Sequence, residues 1–378
     1  MKILLSGYLF RDPHGGGQIW HHLQYLVGFQ RMGHEVYYLE EFGWKNSSYN
    51  AAADVLTSDP SYGILRMSEL LSLFGLSDRW CFLAENGQAY GMTREKLASV
   101  CGECDVYVNL SGIINWVPEL ALCRRRVLVD TDPAFTQIGA HGMGGPFSRY
   151  HTLFSYGENV HRSGCEMPTG GFRWLPTRQP VVLDLWEPKP VATDAPITTV
   201  MNWSSYGEHK YKGRIYGQKG RQFEPYFSIP LKVSRRMDLA VANAPWHIRW
   251  RLRANGWGLA DAAAISRTPW TYQEYLSKSA AEFSVAKHAY VSTHSGWFSE
   301  RSAGYLASGR PVIVEDTGFS KFLPCGKGLF AFRTAKEATA SIKEVLRNYP
   351  VHEKSARALA EECFDASKVL SDLLTLSL

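Results

Sequence analysis

The sequence predicts an α/β protein made of two Rossmann-like, doubly wound domains that face each other across a cleft. Two observations support this prediction. The first forty residues read as strand, glycine loop, helix and strand, which is typical of a parallel sheet covered by helices. A second series of strands and helices follows a proline-rich stretch, and 378 residues are enough for two domains of similar size.

Composition narrows the class of protein. Hydrophobic residues make up 45% of the chain and charged residues 20%, so the chain is globular and not disordered. The net charge of +5 is compatible with anionic substrates but is too small to indicate a nucleic-acid-binding protein. Seven scattered cysteines fit a reducing compartment better than a disulfide framework.

The N-terminus and the hydropathy pattern predict a cytoplasmic protein. The apolar run at residues 3–5 is too short for a signal peptide, because Arg11 and Asp12 follow soon after it. No later segment approaches the roughly 20 apolar residues that a membrane span needs. We therefore expect no membrane span.

The first elements predict the start of a parallel sheet. Residues 3–5 form a short buried strand, three glycines at 15–17 let the backbone turn, and apolar residues from Ile19 to Val27 recur at helical spacing. Residues 36–39 then form the next strand, which completes a right-handed βαβ unit. Further strands are expected at 106–108 and 127–129, and helices over 65–74 and 95–100.

A proline-rich stretch between about Trp174 and Thr198 marks the junction between the domains. We predict a first domain over residues 1–180, a linker over 181–196 and a second domain over 197–378. The second domain is expected to have strands at 199–201, 289–291, 312–314 and 329–331. Thr334 and Glu337 form a capping box for a helix to about residue 348. The amphipathic segment 355–374 is expected to cross back onto the first domain.

The stretch from His294 to Gly318 combines a polar loop, a helix and a buried strand. Ser299 can cap the helix, Gly309 can end it, and Pro311 opens the apolar run 312–314. A helix start presents unpaired N–H groups and the positive end of the helix dipole. This stretch therefore predicts an anion site.

Motifs at both ends of the chain resemble those of the GT-B-fold glycosyltransferases, specifically the family 1 or group 1 enzymes. They are K-I-L-L-S-G at residues 2–7, the three glycines, G-H-E-V at 33–36 and A-S-G-R-P-V-I-V at 307–314. The resemblance implies an N-terminal domain that binds the acceptor and a C-terminal domain that binds a nucleoside-diphosphate sugar. It also implies no bound metal and no resident cofactor.

The glycine loop and its neighbours are candidates for the acceptor side and for the catalytic base. Because they lack a Cβ, Gly15, Gly16 and Gly17 allow the backbone to approach a phosphate or an acceptor closely, although they could also only connect strand to helix. An inverting transferase needs a base for the acceptor hydroxyl, and Asp12 and His14 are the candidates. Asp12 could equally cap the turn into Pro13.

The donor side needs cations, because negative charge grows on the departing nucleoside diphosphate. Residues 213–220 resemble the G-R-L-x-x-x-K-G segment of many GT-B enzymes, and the resemblance assigns the diphosphate grip to Arg214 and Lys219. Lys287, just before the strand expected at 289–291, is a third candidate. The alternative is a surface loop with ordinary basic residues.

Residues 294–297 resemble the H-C-G-W motif of natural-product UDP-glycosyltransferases. His294, Gly296 and Ser299 match the positions that bind the diphosphate there. The two glutamates of the retaining group fall at Gly296 and Gly304, so Glu300, one helical turn before Gly304, is the expected substitute. The retaining or inverting course stays open.

Two acidic segments complete the set of candidates. Asp316, Thr317 and Gly318 fall where GT-B enzymes place groups that hydrogen-bond the sugar, although a polar turn explains them equally well. Residues 130–132 imitate the D-x-D metal motif of the other glycosyltransferase fold. They lie in the expected acceptor domain, so we expect Asp132 to contact the acceptor and expect no metal site.

The candidates together predict a glycosyltransferase of the hexosyltransferase type, which moves a sugar from a nucleoside diphosphate to a hydroxyl acceptor. Two alternatives stay open: a nucleotide-sugar epimerase of the same fold, and a non-catalytic domain that binds a glycan or a partner protein. The expected partners are the nucleotide-sugar donor and an unknown hydroxyl acceptor. Nucleic acid is not indicated, but a modified base is chemically reasonable as an acceptor.

Overall fold

The structure, a computed structural model, describes residues 1–140 and 146–378. Its two large sheets are a mainly parallel sheet of eight strands and a parallel sheet of six. We call the eight-stranded sheet with its helices the first lobe and the six-stranded sheet with its helices the second lobe. The predicted α/β class with two Rossmann-like layers is confirmed.

The first lobe has the strand order β10-β9-β8-β7-β1-β2-β5-β6. All neighbouring pairs are parallel except β5 and β6. Strands β3 and β4 form a separate antiparallel hairpin. The bounds are β1 Lys2–Ser6, β2 Glu35–Glu41, β3 Ser48–Asn50, β4 Val55–Thr57, β5 Trp80–Leu83, β6 Ala89–Gly91, β7 Val106–Leu110, β8 Arg125–Asp130, β9 Thr152–Ser155 and β10 Leu175–Pro176.

The second lobe has the strand order β15-β14-β11-β16-β17-β18, and every neighbouring pair is parallel. Strands β12 and β13 form an antiparallel hairpin outside this sheet. The bounds are β11 Ile197–Asn202, β12 His209–Tyr211, β13 Arg214–Tyr216, β14 Met237–Ala242, β15 Gly258–Ala260, β16 Ala281–Ser284, β17 Val312–Glu315 and β18 Leu329–Phe332. The chain leaves the first sheet at Pro176, the end of β10, and enters the second at Ile197, the start of β11. The exact domain boundaries stay a prediction.

Helices join the strands within each lobe. The first lobe has α1 Gly16–Arg31, α2 Ser61–Ser72, α3 Arg94–Glu103 and α4 Phe135–Ala140. Those that follow in the chain are α5 Lys219–Gln222, α6 Trp246–Ala254, α7 Ala262–Ser266, α8 Pro269–Ser277, α9 His288–Ser292, α10 Glu300–Ala307, α11 Ala335–Arg347, α12 Tyr349–Cys363 and α13 Ala366–Ser377. Among the described residues, no helix is long and apolar enough to cross a membrane.

The predicted first βαβ unit is confirmed as β1, α1 and β2, and the capping box of Thr334 and Glu337 opens α11. The strand expected at 289–291 is wrong. Those residues lie in helix α9, and the strand of this region is β16, eight residues earlier. A buried charge, Glu282, sits in β16 and interrupts the apolar run by which a strand is recognised.

The C-terminal segment returns to the first lobe, as predicted, but as two helices. Phe364 and Asp365 separate α12 from α13, and the Asp365 side chain caps α13. Helix α13 packs against α1, where a Cβ added at Gly28 would lie 2.5 Å from a methyl group of Leu370. The largest buried apolar cluster therefore contains residues of both lobes, among them Leu23 of α1, Leu306 of α10 and Leu370 of α13.

Candidate active site

A cleft of about 1500 Å³ separates the two lobes. Loops at the carboxyl ends of strands in both sheets line it, which is where folds of this class place their ligands. The first lobe contributes the loops after β1 and β8, and the second lobe contributes those after β11, β14 and β16. The cleft is therefore large enough and suitably placed for a ligand that touches both lobes.

The loop between β1 and α1 and the first turn of α1 line this cleft; Gly15 ends the loop, and Gly16 and Gly17 begin the helix. Gly16 and Gly17 both lie against helix α8. A Cβ at Gly16 would lie 2.7 Å from the Thr268 carbonyl and from the Tyr272 Cβ, and a Cβ at Gly17 would lie 2.9 Å from the Tyr272 ring. These glycines let the first lobe touch the second. Asp12, His14 and Gly15 of the loop and Gly17 of the helix line the cleft.

Asp12 and His14 both face the cleft, but their surroundings differ. Asp12 is exposed to the solvent of the cleft, and desolvation by the surrounding protein raises the pKa of its carboxyl. His14 Nε2 lies 2.5 Å from the Tyr62 hydroxyl. Burial, followed by the charges of Arg66 and Arg267, lowers the pKa of His14, so its imidazole is neutral at pH 7. Both groups can accept a proton, and the His14 ring is already oriented by a partner.

His21 is a second histidine on the cleft wall that the sequence pattern did not single out. It lies one turn into α1 and lines the cleft. Burial lowers its pKa to about 4, and its Nε2 has no hydrogen-bond partner among the described residues. A neutral buried imidazole with a free nitrogen beside a ligand cleft is a candidate proton acceptor or positioning group. The signal was the His21-His22 pair between Ile19 and Leu23, two of the apolar residues that recur at helical spacing.

Lys219 is the most unusual cation of the cleft. It is the first residue of the short helix α5, and only 9% of its surface is exposed. Burial, followed by the nearby positive charges of Arg301 and Lys287, lowers its pKa to about 7. Within residues 1–140 and 146–378, no carboxylate forms an ion pair with its ammonium group. A buried, unpaired lysine is costly unless an anion compensates it.

Helix α10 begins beside Lys219. Ser299 caps it, its Oγ accepting the Arg301 N–H at 3.2 Å, and Gly309 ends it in the left-handed region with φ +74°. Both predictions for this helix are confirmed. Ser299, Glu300 and Arg301 line the cleft, so the positive end of the helix dipole faces it.

Arg301 is held in place at the wall of the cleft. Its guanidinium donates to Glu282 Oε1 at 2.6 Å, to Ser284 Oγ at 2.6 Å and to the Val200 carbonyl at 2.8 Å. Glu282 is fully buried, so the ion pair ties β16 to α10. The pair fixes the start of α10 relative to the sheet.

An ion pair crosses the cleft between Asp132 of the first lobe and Lys287 of the second. The Lys287 Nζ lies 3.0 and 2.9 Å from the two Asp132 oxygens, and the Tyr206 and Tyr290 hydroxyls also donate to this carboxylate. The lysine also lies over the rings of Phe135, Tyr206 and Tyr290 at 4.9, 4.7 and 5.3 Å. Lys287, expected to bind the sugar donor, and Asp132, expected to bind the acceptor, thus form an ion pair with each other.

The other carboxylate of the D-x-D segment is a structural group. Asp130 is fully buried and accepts hydrogen bonds from Ser155, Gln137 and the Asp132 N–H at 2.6, 2.8 and 2.9 Å. In the described part of the chain, no group of three or more His, Cys, Asp or Glu residues could hold a metal ion. Asp130 therefore supports the loop that carries Asp132.

Arg214 lies outside the lining of the cleft. It is on β13, the second strand of the β12–β13 hairpin, where its exposed side chain pairs with Glu166. The hairpin turns this arginine toward the surface, whereas Lys219, five residues later, turns inward with α5. The two cations of the segment at 213–220 are therefore not brought together.

His294, Gly296 and Gly318 form an interlobe contact instead of lining the cleft. The Asn159 amide of the first lobe donates to the His294 carbonyl at 3.0 Å and to the Gly318 carbonyl at 3.1 Å. A Cβ at Gly296 would lie 2.8 Å from the Asn159 nitrogen, and Gly296 has φ +78°. These glycines allow the close approach of the lobes.

Asp316 and Thr317 also bind protein groups. Asp316 is buried, pairs with Arg333 at 2.7 Å and accepts the Ser320 hydroxyl at 2.8 Å. The Thr317 hydroxyl donates to the Trp297 carbonyl at 2.6 Å. Neither residue lines the cleft, so the polar-turn interpretation accounts for the contacts of this segment.

No protein-family model and no curated protein sequence matches the chain. Solved structures of glycosyltransferases are similar to this chain over nearly the whole length. One is an α-glucosyltransferase in complex with UDP and a 13-mer DNA with a central A:G mismatch, at TM-score 0.59 and 12% identity, covering 99% of this chain and 98% of that chain. AviGT4, a glycosyltransferase involved in avilamycin A biosynthesis, has TM-score 0.56 and 14% identity over 100% and 97%. Sucrose-phosphate synthase from Thermosynechococcus elongatus has TM-score 0.54 and 11% identity over 99% and 97%. The chain therefore has the GT-B fold that its sequence predicts.

Proposed function

We propose that the chain is a glycosyltransferase that moves a sugar from a nucleoside-diphosphate sugar to a hydroxyl acceptor. The observation that carries this proposal is the buried Lys219, unpaired by any described carboxylate, beside the N-terminus of α10. A cation without a carboxylate next to free helix N–H groups is suited to a diphosphate. The cleft between two GT-B lobes provides the room for both substrates.

The charges around Lys219 suit the departure of a diphosphate. In the transfer, the acceptor oxygen forms a bond to the anomeric carbon while the bond from that carbon to the diphosphate oxygen breaks. The diphosphate takes the electron pair, and the acceptor proton passes to a base. Lys219 and the start of α10 would stabilise the charge that develops on the leaving oxygen. This stabilisation should provide a large part of the rate.

UDP-sugars are the first donors to test. Solved α-glucosyltransferase structures with this fold contain UDP or UDP-glucose. Ser299 and Glu300 line the same cleft as Lys219, and the Glu300 charge acts on the Lys219 pKa, so we propose both as donor contacts. Arg214, His294, Gly296, Asp316, Thr317 and Gly318 are not part of this proposal, because they contact protein groups away from the cleft lining.

The acceptor would lie against the first lobe. Asp12, His14 and His21 face that side, and we propose them as the set from which the base comes. Aromatic side chains, including Tyr8, Tyr49 and Trp116, line the same half. A cleft of about 1500 Å³ exceeds the range of about 300–1000 Å³ that a single small ligand usually occupies, which favours transfer to an acceptor over epimerisation of the donor alone.

The proposed compartment is the cytoplasm. All seven cysteines are free, and four of them are buried in the first lobe. Free thiols at these positions support a reducing compartment.

The test is to measure UDP binding by calorimetry and sugar release from UDP-glucose and other nucleotide sugars with an acceptor panel. We expect Lys219→Met to weaken UDP binding at least tenfold and to lower turnover by about 10²- to 10³-fold. Lys278→Met is the matched control, because Lys278 is an exposed lysine of the same lobe paired only with Glu274. Normal UDP affinity and turnover in Lys219→Met would refute the proposal.

A further inference from the structure

Helix α6 presents two tryptophans to solvent. Trp246 is 80% exposed and Trp250 is 68% exposed. They lie four residues apart, so both point from the same face of the helix, and Arg253 follows three residues later on that face. Leu252, on the opposite face, is fully buried against the sheet. Large aromatic groups left this open usually mark a contact surface.

The charge of this helix has one sign. No acidic residue occurs between Leu239 and Ala260, whereas Arg249, Arg251 and Arg253 and one histidine all fall on α6. Arg251 pairs with Glu224 of a neighbouring loop. Arg249 donates a hydrogen bond to the Val241 carbonyl, and no carboxylate of the described residues forms an ion pair with this arginine. The exposed face of α6 is therefore aromatic and basic.

The position of α6 relates this face to the cleft. Asn243, three residues before the helix, lines the cleft, so α6 starts at the cleft rim and runs away from it along the second lobe. At the far end, Leu231 is 66% exposed and packs beside Gly256, the turn that follows the helix. We call Trp246, Trp250, Arg253 and Leu231 the α6 patch.

We propose that the α6 patch docks the protein on an anionic lipid bilayer. Tryptophan prefers the boundary between headgroups and acyl chains, because its ring is apolar and its N–H is polar. Arginines on the same helix would bind the anionic headgroups, as in other helices that lie in the membrane interface. Single-stranded nucleic acid is the less suitable partner, because its binding sites are positively charged grooves and α6 is a convex surface.

Docking of α6 on a bilayer would determine the side from which an acceptor enters the cleft. With α6 on the bilayer, the rim at Asn243 lies next to the lipid headgroups. An acceptor carried by a lipid would then enter the cleft without leaving the membrane surface. This consequence rests on the proposed transferase function, whereas the docking itself does not depend on it.

The experiment uses the full chain and two kinds of vesicle, phosphatidylcholine alone and phosphatidylcholine with one third phosphatidylglycerol. We expect sedimentation with the anionic vesicles only, together with a blue shift of tryptophan fluorescence. The double variant Trp246→Ala, Trp250→Ala should lose about tenfold or more of this binding. Arg253→Gln should lose about fivefold, as expected for one basic residue near an anionic surface.

Trp44→Ala is the matched control, because Trp44 is 60% exposed on the first lobe and lies outside the α6 patch. It should bind the vesicles as the unaltered chain does. Equal binding by the tryptophan double variant would overturn the proposal. The proposal would also be overturned if the unaltered chain bound single-stranded DNA but no vesicles and the double variant lost the DNA binding. Neither donor nor acceptor enters the assay, so its failure would leave the transferase proposal untouched.

Discussion

At the residue scale, Lys219 connects the electrostatics of the free protein to the binding of the donor. Its pKa is lowered to about 7 by burial and by nearby positive charges. A bound diphosphate would favour the charged form and raise this pKa again. Binding and protonation of this one side chain are therefore coupled.

We predict that affinity for UDP falls as the pH rises above about 7. Above that pH the free protein has lost the Lys219 proton and must take it up again on binding, which costs up to about tenfold in affinity per pH unit. Calorimetry between about pH 6 and about pH 9 in buffers of different ionisation enthalpy would show proton uptake. Lys219→Met should lack both the slope and the uptake, and an identical slope in this variant would contradict the assignment.

The same shift affects folding. Because the folded pKa of Lys219 is below its ordinary value of 10.5, the unfolded chain binds more protons between these two values. The contribution of this lysine to stability therefore rises as the pH increases from about 7 to 10.5, and its full penalty applies below pH 7.

Sequence reasoning found Lys219 but not its setting. The motif at 213–220 named two cations, and only the one in α5 turns inward, because the β12–β13 hairpin directs Arg214 to the surface. Whether a basic residue of a loop faces a ligand depends on the path of the backbone between elements, which residue types do not encode. The same limit applies to His294 and Gly318. Their backbone carbonyls accept hydrogen bonds from the Asn159 amide and so join the two lobes, which their residue types do not indicate.

At the element scale, the pair between Glu282 of β16 and Arg301 of α10 positions the start of the helix. Both side chains are buried, with 0% and 8% exposed. Taking one charge away leaves the other unpaired in the interior, which costs more than the pair itself contributes. The geometry of the helix start therefore depends on a strand that is distant in the sequence.

We predict that Glu282→Gln lowers the free energy of unfolding by about 3 kcal/mol. Chemical denaturation followed by circular dichroism would measure it. Glu274→Gln is the control, because Glu274 pairs with Lys278 on the exposed surface of α8 and should change stability by less than about 0.5 kcal/mol. Equal losses in the two variants would show that the buried pair has no special role.

The elements that sequence predicted best were those with local signals. The cap at Ser299 and the left-handed Gly309 define α10 within a few residues, and the first βαβ unit follows from periodicity. Strand β16 was missed because its charge is satisfied by a partner nineteen positions away. Such a strand is stabilised by a tertiary ion pair, and a local sequence pattern does not contain the partner residue.

At the scale of the whole molecule, the two lobes share one buried core. Helix α13 lies on α1 of the first lobe, and the same cluster includes residues of α10 and β17 of the second. The C-terminal return was predicted from its amphipathic pattern. Its division at Asp365 was not predicted, because the turn depends on the backbone pairing between Val181 and Asp365.

We predict that Leu370→Ala destabilises the protein as a whole, by about 2–5 kcal/mol, because it opens a cavity where α13 meets α1. Scanning calorimetry should show a single transition at a lower midpoint. Leu376→Ala, on the exposed side of the same helix at 54% exposure, should leave the midpoint nearly unchanged. A transition that splits in two would mean that the lobes unfold independently.

The return of α13 also sets an order of events during protein synthesis. Helix α1 leaves the ribosome long before α13, but its outer surface is covered by this helix, which is made after both sheets. The apolar face of α1 that α13 later covers therefore stays exposed while the second lobe is translated. Nascent chains in this interval expose hydrophobic surface, which is the condition under which chaperones bind.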